Sequence, residues 1–185
     1  MSSFYFLDYK ELNLKALNPL HQYRNLIHLI GESTCQLIIN SRFLVGAAAV
    51  GKTSLIERFV KSQFATDYKI TVGVSILTKD VEYERGQFAT LSIWDIGGQV
   101  KFSFIRTTFY KGSHGALLVF DLSRADTWEQ IKNWKAEVNQ FAGNIPMVLI
   151  GNKLDLLEAV GEVIDREECQ RWAEEIGSIY IETSA

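Results

Sequence analysis

The chain is poor in cysteine, proline and histidine, with two, two and three in 185 residues. Cys35 and Cys169 are too few for a disulfide framework and lack metal-ligand spacing, so both read as small buried or half-buried residues of a reducing compartment. His21, His28 and His114 are scattered and show no ligand spacing either. No internal repeat, low-complexity tract or Pro/Ser-rich linker marks a domain boundary, and no apolar run reaches the roughly 18–20 residues a membrane helix needs. A basic excess is missing as well. Nineteen Lys and Arg stand against 22 Asp and Glu, so nothing electrostatic points to nucleic acid as a partner. Met1-Ser2-Ser3, with Asp8 and Glu11 close behind, lacks the basic leader of a secretory signal. Ser2 stands where N-myristoylation requires glycine. These absences lead to the expectation of a soluble cytoplasmic protein. A 47% hydrophobic composition over this length supports one well-buried domain and is short for two.

From residue 42 onward, apolar runs alternate with segments of helical period, the pattern of an α/β domain with a mostly parallel sheet. Strands are expected at 42–45, 74–83, 88–95, 115–120, 146–150 and 179–181. Gly115 to Phe120 is continuously apolar, as in a strand buried on both faces. Glu84-Arg85-Gly86-Gln87 reads as a hairpin turn, with glycine available for positive φ. Helices are expected over 52–61, with Leu55, Ile56, Phe59 and Val60 on one stripe, and from Asp165 to Gly177. A third follows Asp126-Thr127-Trp128-Glu129, which reads as its N-terminal cap. Trp128 and Trp134 then belong to a helix core rather than an aromatic binding box. Lys79, Asp80, Glu82 and Glu84 read as a solvated strand edge.

Four short segments carry the chemistry. Gly46-Ala47-Ala48-Ala49-Val50-Gly51-Lys52-Thr53 fits G-x-x-x-x-G-K-[ST] and lies between a strand and a helix. Glycine lets backbone wrap closely around phosphate, and the helix N-terminus adds a favourable dipole. Lys52 would neutralise β- and γ-phosphates, and the Thr53 hydroxyl would ligate Mg²⁺. Asn152-Lys153-Leu154-Asp155 reads a base: a carboxylate at Asp155 can accept paired bonds from guanine N1–H and its 2-amino group. Adenine offers no such pair and would leave the carboxylate unsatisfied. Asp95, ending a strand before Gly97-Gly98, can reach the Mg²⁺ shell through water. The Gly98 amide can meet the γ-phosphate, and Gln99 would orient the attacking water. The last segment is Glu182-Thr183-Ser184-Ala185.

In this order and spacing the chain resembles the Ras superfamily of small GTPases over residues 42–185. The resemblance implies the P-loop small-GTPase fold, a mostly parallel six-stranded sheet flanked by helices, with its C-terminal helix missing from this sequence. It implies GTP, GDP and Mg²⁺ as ligands, held by Gly46 to Ser54, Phe64, Tyr68, Thr71, Gly98, Asn152, Lys153, Asp155, Ser184 and Ala185. Thr71 would complete the metal site with Thr53 and Asp95, Phe64 would pack on guanine, and Tyr68 would close over the phosphates. The Ala185 amide would meet the guanine carbonyl. Effector, exchange-factor and activating proteins are expected on residues 64–76 and 97–111, where Phe102, Phe104 and Phe109 form an apolar patch.

Thr71-Val72-Gly73-Val74, Trp94-Asp95 and Phe109-Tyr110-Lys111-Gly112 are most similar to the Rab branch. Ile96-Gly97 replaces the usual Rab Thr-Ala and is similar to the Arf-type Asp-x-Gly-Gly-Gln. Ile76 and Val100 stand in place of Phe and Glu. Ala48 puts a methyl where Gln99 and an incoming arginine need room, so a nucleotide-locked module without useful hydrolysis is the alternative to a slow GTPase. A P-loop ATPase comes third, opposed by Asp155. Rab relatives carry prenylated C-terminal cysteines, so membrane association is expected only if a longer tail follows. Residues 1–41 form an N-terminal extension of unknown role, with leucines at 7, 12, 14, 17 and 20, then Leu26, Ile27, Leu29 and Ile30. This extension reads as an accessory helix or as upstream sequence from a misplaced start. Without a closing helix, Phe43, Val45 and Ile150 are expected to lack cover.

Overall fold

Phe43-Leu44-Val45 is apolar on both faces, and the chain places it at the middle of the sheet. In the computed structural model, which describes residues 39–62, 71–84, 87–98 and 103–184, this strand is β1 (Ile39–Val45). The others are β2 (Val74–Glu84), β3 (Gln87–Ile96), β4 (Gly115–Asp121), β5 (Met147–Asn152) and β6 (Ile179–Thr183), in the order β2-β3-β1-β4-β5-β6. Only β2 and β3 pair antiparallel, as a hairpin whose residues 85–86 lie outside the described residues. β1 pairs in parallel with β3 and β4, and β4–β5–β6 continue in parallel. β1 begins three residues earlier than expected, and β3, β4, β5 and β6 each run one or two residues further toward the loops that form the site.

Alternate side chains of each strand build two cores. Phe43, Val45, Leu118, Phe120 and Leu149 face three helices: α2 (Ser103–Tyr110), α4 (Ile131–Ala142) and α6 (Arg166–Glu175). Trp134 is buried there, and Trp128 packs edge-on against Trp172 at 5.6 Å, so both tryptophans are core. On the other face, Leu44, Val119, Ile150 and Ile181 share a cluster with Ile56 of α1 (Lys52–Lys61).

Phe43, Val45 and Ile150 are not left uncovered, contrary to expectation: their exposures are 0%, 1% and 2%. Phe43 stacks on Tyr110 at 4.5 Å, since it points toward α2 rather than toward the α1 face. Lys79 also departs from a solvated edge, lying 4.3 Å from the Phe59 ring centroid and donating to the Phe59 carbonyl.

The third expected helix is interrupted. α3 (Ala125–Glu129) stops at Gln130, and α4 starts afresh. Arg124 occupies the α3 N-cap with no side-chain cap bond. Thr127 instead accepts from the Asp121 amide at 3.0 Å and donates to the Arg124 carbonyl at 2.7 Å, which ties the turn to β4. A 3₁₀ turn (Leu154–Leu156) and the short α5 (Leu157–Val160) follow β5. α6 is capped as expected, Asp165 accepting from the Glu167 and Glu168 amides at 2.9 and 3.1 Å. Cys169 on its inner face is buried, and its thiol is pushed up to about 12, by burial first and by the neighbouring Glu168 carboxylate next.

Candidate nucleotide-binding site

All four motifs come to the carboxyl ends of parallel strands, where open α/β sheets bind ligands. The first loop leaves β1 at Val45 and enters α1 at Lys52. Gly51 has φ 93°, and a Cβ there would collide with the Asn152 side-chain amide, so no other residue fits without displacing it. The Lys52 side chain curls back into the loop, its Nζ donating to the Gly46 and Ala47 carbonyls at 2.9 and 2.8 Å. It is 6% exposed, and burial lowers its ammonium to about 8, with Asp95 opposing and Arg106 adding to the shift. A cation removed from water and fixed inside a loop of backbone amides is electrostatically suited to an incoming polyanion.

Beside it, three oxygen-bearing side chains from distant elements converge. The Thr53 hydroxyl donates to Asp95 Oδ2 at 2.5 Å, and the Thr53 and Thr71 hydroxyl oxygens lie 2.6 Å apart. Thr71 also reaches Asp95 Oδ2 at 3.3 Å. Asp95 is 2% exposed, and its Oδ1 is buried without a hydrogen-bond partner. Burial raises the Asp95 carboxyl above its ordinary value, while Thr53, Lys52 and Thr71 pull it back. Two hydroxyls and one carboxylate, whose Oδ1 is left without a partner, form a hard, all-oxygen donor set that suits Mg²⁺. Ser54, next on α1, is half-buried. Gly98 approaches the same loop so closely that a Cβ would collide with the Gly46 and Ala47 carbonyls.

The base motif follows β5. Lys153 takes the left-handed conformation, φ 66°, which turns the chain so that Asn152 points inward and Asp155 outward. Asn152, 1% exposed, donates to the Val50 carbonyl at 2.8 Å and accepts from the Thr183 hydroxyl at 3.0 Å. Asn152 therefore braces the phosphate loop against the β6 loop. Lys153 Nζ pairs with the buried carboxylate of Asp121 at 2.8 Å. Asp155 stays exposed, with the Ser184 hydroxyl donating to its Oδ1 at 2.5 Å.

The structure thus brings Gly46 to Thr53, Thr71, Asp95, Gly98, Asn152, Lys153, Asp155 and Ser184 to one end of the sheet. Ala48 is exposed at the loop tip, and its carbonyl accepts from Arg124 at 3.5 Å. Phe64, Tyr68, Gln99 and Ala185 lie outside the described residues, as does Phe102, and the Phe104 side chain is not described. Val72 and Ile76 are 75% and 53% exposed on the first expected partner segment, while Phe109 packs on Trp94 at 5.1 Å. Sequence reasoning missed Asp121 and Thr183 as supports. Asp121 could have been found from its place at the end of a buried strand beside β5. Among the described residues no cluster of three or more His, Cys, Asp or Glu could hold a metal, and no helix is long and apolar enough to cross a membrane.

A strand–loop–helix phosphate cradle beside an all-oxygen metal set, on a mostly parallel six-stranded sheet, defines a P-loop nucleotide-binding domain. Residues 42–185 match the Ras family. Ras-related protein RABG3f of Arabidopsis thaliana is 38% identical over 148 residues, covering 77% of this chain and 71% of that protein. Ras-related protein RABA5b of the same plant is 40% identical over 143 residues, covering 77% of this chain and 64% of that protein. Ras-related protein Rab-9A of Homo sapiens is 39% identical over 148 residues, covering 77% and 72%. The chain belongs to the Ras family, as a small GTPase of that superfamily near its Rab branch.

Proposed function

We propose that the protein is a guanine-nucleotide switch that binds GTP with Mg²⁺ and slowly hydrolyses it to GDP, in a Rab-like trafficking or signalling role. The observation that carries this reading is the meeting of Thr53, Thr71 and Asp95 oxygens beside the buried Lys52. Lys52 and the amides of the Gly46–Thr53 loop would bind the β- and γ-phosphates. Thr53, Thr71 and, through water, Asp95 would hold Mg²⁺, which neutralises charge between phosphate oxygens. Asp155, steadied by Ser184, would accept the paired donors of guanine. Gln99 would position the attacking water. Thr71 lies within the expected partner segment 64–76, and Gly98 lies near the start of the other, 97–111. Binding of the γ-phosphate to them would couple nucleotide state to effector, exchange-factor and activating proteins, and hydrolysis would release both segments. A cytoplasmic protein, peripheral to membranes, fits this role.

Single-turnover conversion of bound GTP tests the reading. Slow appearance of GDP and phosphate that depends on Mg²⁺, together with weak competition by ATP, is expected. Bound GTP that persists unchanged with Mg²⁺ present would overturn the hydrolytic part, and equal affinity for ATP would overturn the guanine assignment.

A further inference from the structure

Among the described residues β6 is the edge of the sheet, and its end pairs with β5 alone, Gly151 opposite Glu182 and Asn152 opposite Thr183. A strand with one backbone ladder needs a further anchor to keep its end in a fixed place. Directly after it, Ser184 keeps its hydroxyl 2.5 Å from Asp155 Oδ1. The further anchor comes from α6. Arg166, the first residue of that helix, makes a bidentate pair with Glu182, its Nε donating to Oε1 at 2.6 Å and its Nη2 to Oε2. Arg166 Nη1 donates to Glu162 Oε1 at 2.9 Å, and the Tyr180 hydroxyl donates to Glu182 Oε1 at 2.8 Å. Tyr180 and Glu182 are two residues apart and so share one face of the strand, and the missing Cβ of Gly151 leaves room for the Tyr180 hydroxyl. The Arg166 and Glu182 side chains are 23% and 13% exposed, and a planar, two-bonded contact fixes orientation where a lysine would act as a point charge. Asp165, capping α6, steadies the helix end that carries the arginine.

We propose that Arg166 is a positioning residue of the base site: through Glu182 it holds the carboxyl end of β6 so that Ser184 stays on Asp155. The inference rests on the guanine-nucleotide reading above. Three consecutive residues then have one anchor each: Glu182 on α6, Thr183 on Asn152 at 3.0 Å, and Ser184 on Asp155. Adjacent residues of a strand point to opposite faces, so the Thr183 bond and the Glu182 pair hold the strand end from two sides. Asp155 must be oriented to accept two guanine donors at once. Loss of the Arg166 pair draws the Glu182 carboxylate toward water, frees Ser184 to leave Asp155, and so loosens the group that reads the base.

Release of a fluorescent GDP analogue, and competition between GDP and inosine diphosphate, which lacks the 2-amino donor, test this in the full chain. Arg166→Ala should speed GDP release by about tenfold and reduce the preference for GDP over inosine diphosphate. Gln170→Ala, exposed on the same helix and bonded to Glu174 at 2.6 Å, should leave both readouts unchanged. Ser184→Ala should cause much of the same loss, and the double variant should be no worse than the more affected single one. An Arg166 that only stabilised the fold would add its effect to that of Ser184→Ala and leave the base preference unmoved; either result would overturn the proposal. If Arg166→Ala does not fold, Arg166→Lys, which keeps the charge and loses the paired geometry, replaces it, with smaller changes in the same direction expected. Equal binding of GDP and ADP by the unmodified protein would overturn the guanine reading and this inference with it. A guanine-selective protein in which the Arg166 variants change neither readout would overturn this inference alone.

Discussion

The Asn152 side-chain amide donates to the Val50 carbonyl at 2.8 Å across 102 residues of sequence, and the absent Cβ of Gly51 makes room for it. The same amide oxygen accepts from Thr183 at 3.0 Å. One side chain thus joins the phosphate loop, the base motif and the β6 loop, so positioning at one end of the pocket depends on the other.

Asn152→Ala should therefore disturb more than the base. It strands a buried carbonyl and a buried hydroxyl, each costing about 1–3 kcal/mol when unsatisfied. Chemical denaturation should show the loss of stability, and release of a fluorescent GDP analogue should accelerate. A variant with wild-type stability and release would mean that the brace is energetically idle.

Asp155→Asn should weaken GTP binding and shift preference toward xanthine nucleotides, because the new amide donates where guanine also donates. Sites built to hydrogen-bond a ligand reject the mismatched analogue by about 10⁴–10⁵. Competition titrations with GTP, XTP and ATP read the outcome directly; an unchanged preference would remove Asp155 from the base site.

Gln99→Leu should leave GTP affinity largely intact and slow hydrolysis by about tenfold or more, a barrier increase of at least ~1.4 kcal/mol. Ala48→Gly should raise the rate if the methyl crowds the water and glutamine. Single-turnover rates of the two variants separate these effects. A faster Gln99→Leu enzyme, or an unmoved Ala48→Gly rate, would contradict them one at a time.

Glu137→Ala should loosen α2 from α4. Arg106, 4% exposed, makes a bidentate pair with Glu137 at 3.1 and 3.0 Å, and Tyr110 donates to the same carboxylate at 2.7 Å. Glu137 is 23% exposed, so the pair is partly solvated, and removing the carboxylate leaves the buried Arg106 and Tyr110 groups short of an acceptor at a cost of about 1–3 kcal/mol. The unfolding midpoint should fall, with faster amide exchange in α2; Glu137→Gln, which keeps an acceptor, should recover part of both.

Asp165 gives a pH dependence with a definite sign. The Glu168 amide first, and the Glu167 amide and Arg171 with it, hold its carboxyl below the ordinary carboxylate value. The unfolded chain then binds the extra proton, so this capping contribution is complete above about pH 3.9 and is lost as pH falls through the lower folded value. Asp165→Ala should be less stable at neutral pH, and its deficit relative to the wild type should shrink in acid. A pH-independent difference would assign the loss to something other than the cap.

Much of this domain is legible in the sequence because its signals are local. Gly115 to Phe120 must be a strand buried on both faces, and a glycine-rich loop ending in Lys52-Thr53 must lie between strand and helix, whatever surrounds them. The interrupted α3–α4 helix was not legible. Thr127 bonds to Asp121 at the start of α3 in place of the expected cap, and the chain turns again at Gln130, a tertiary arrangement that the capping pattern does not announce. Asp121 and Thr183 were missed for a similar reason: an aspartate or threonine at a strand end has many uses, and only its neighbours select one.

The sequence alone determined which residues are proposed for phosphate, metal and base chemistry, since each motif needs particular groups at fixed spacing along the chain. Tertiary structure decided which of them touch. It turned Lys52 inward, where burial lowers its ammonium, and set Thr53, Thr71 and Asp95 within hydrogen-bonding distance. It also made Asn152 a brace and left Asp155 exposed. Those outcomes depend on strand order and register, which bring residues far apart in sequence to the same end of the sheet and decide which polar groups lose water.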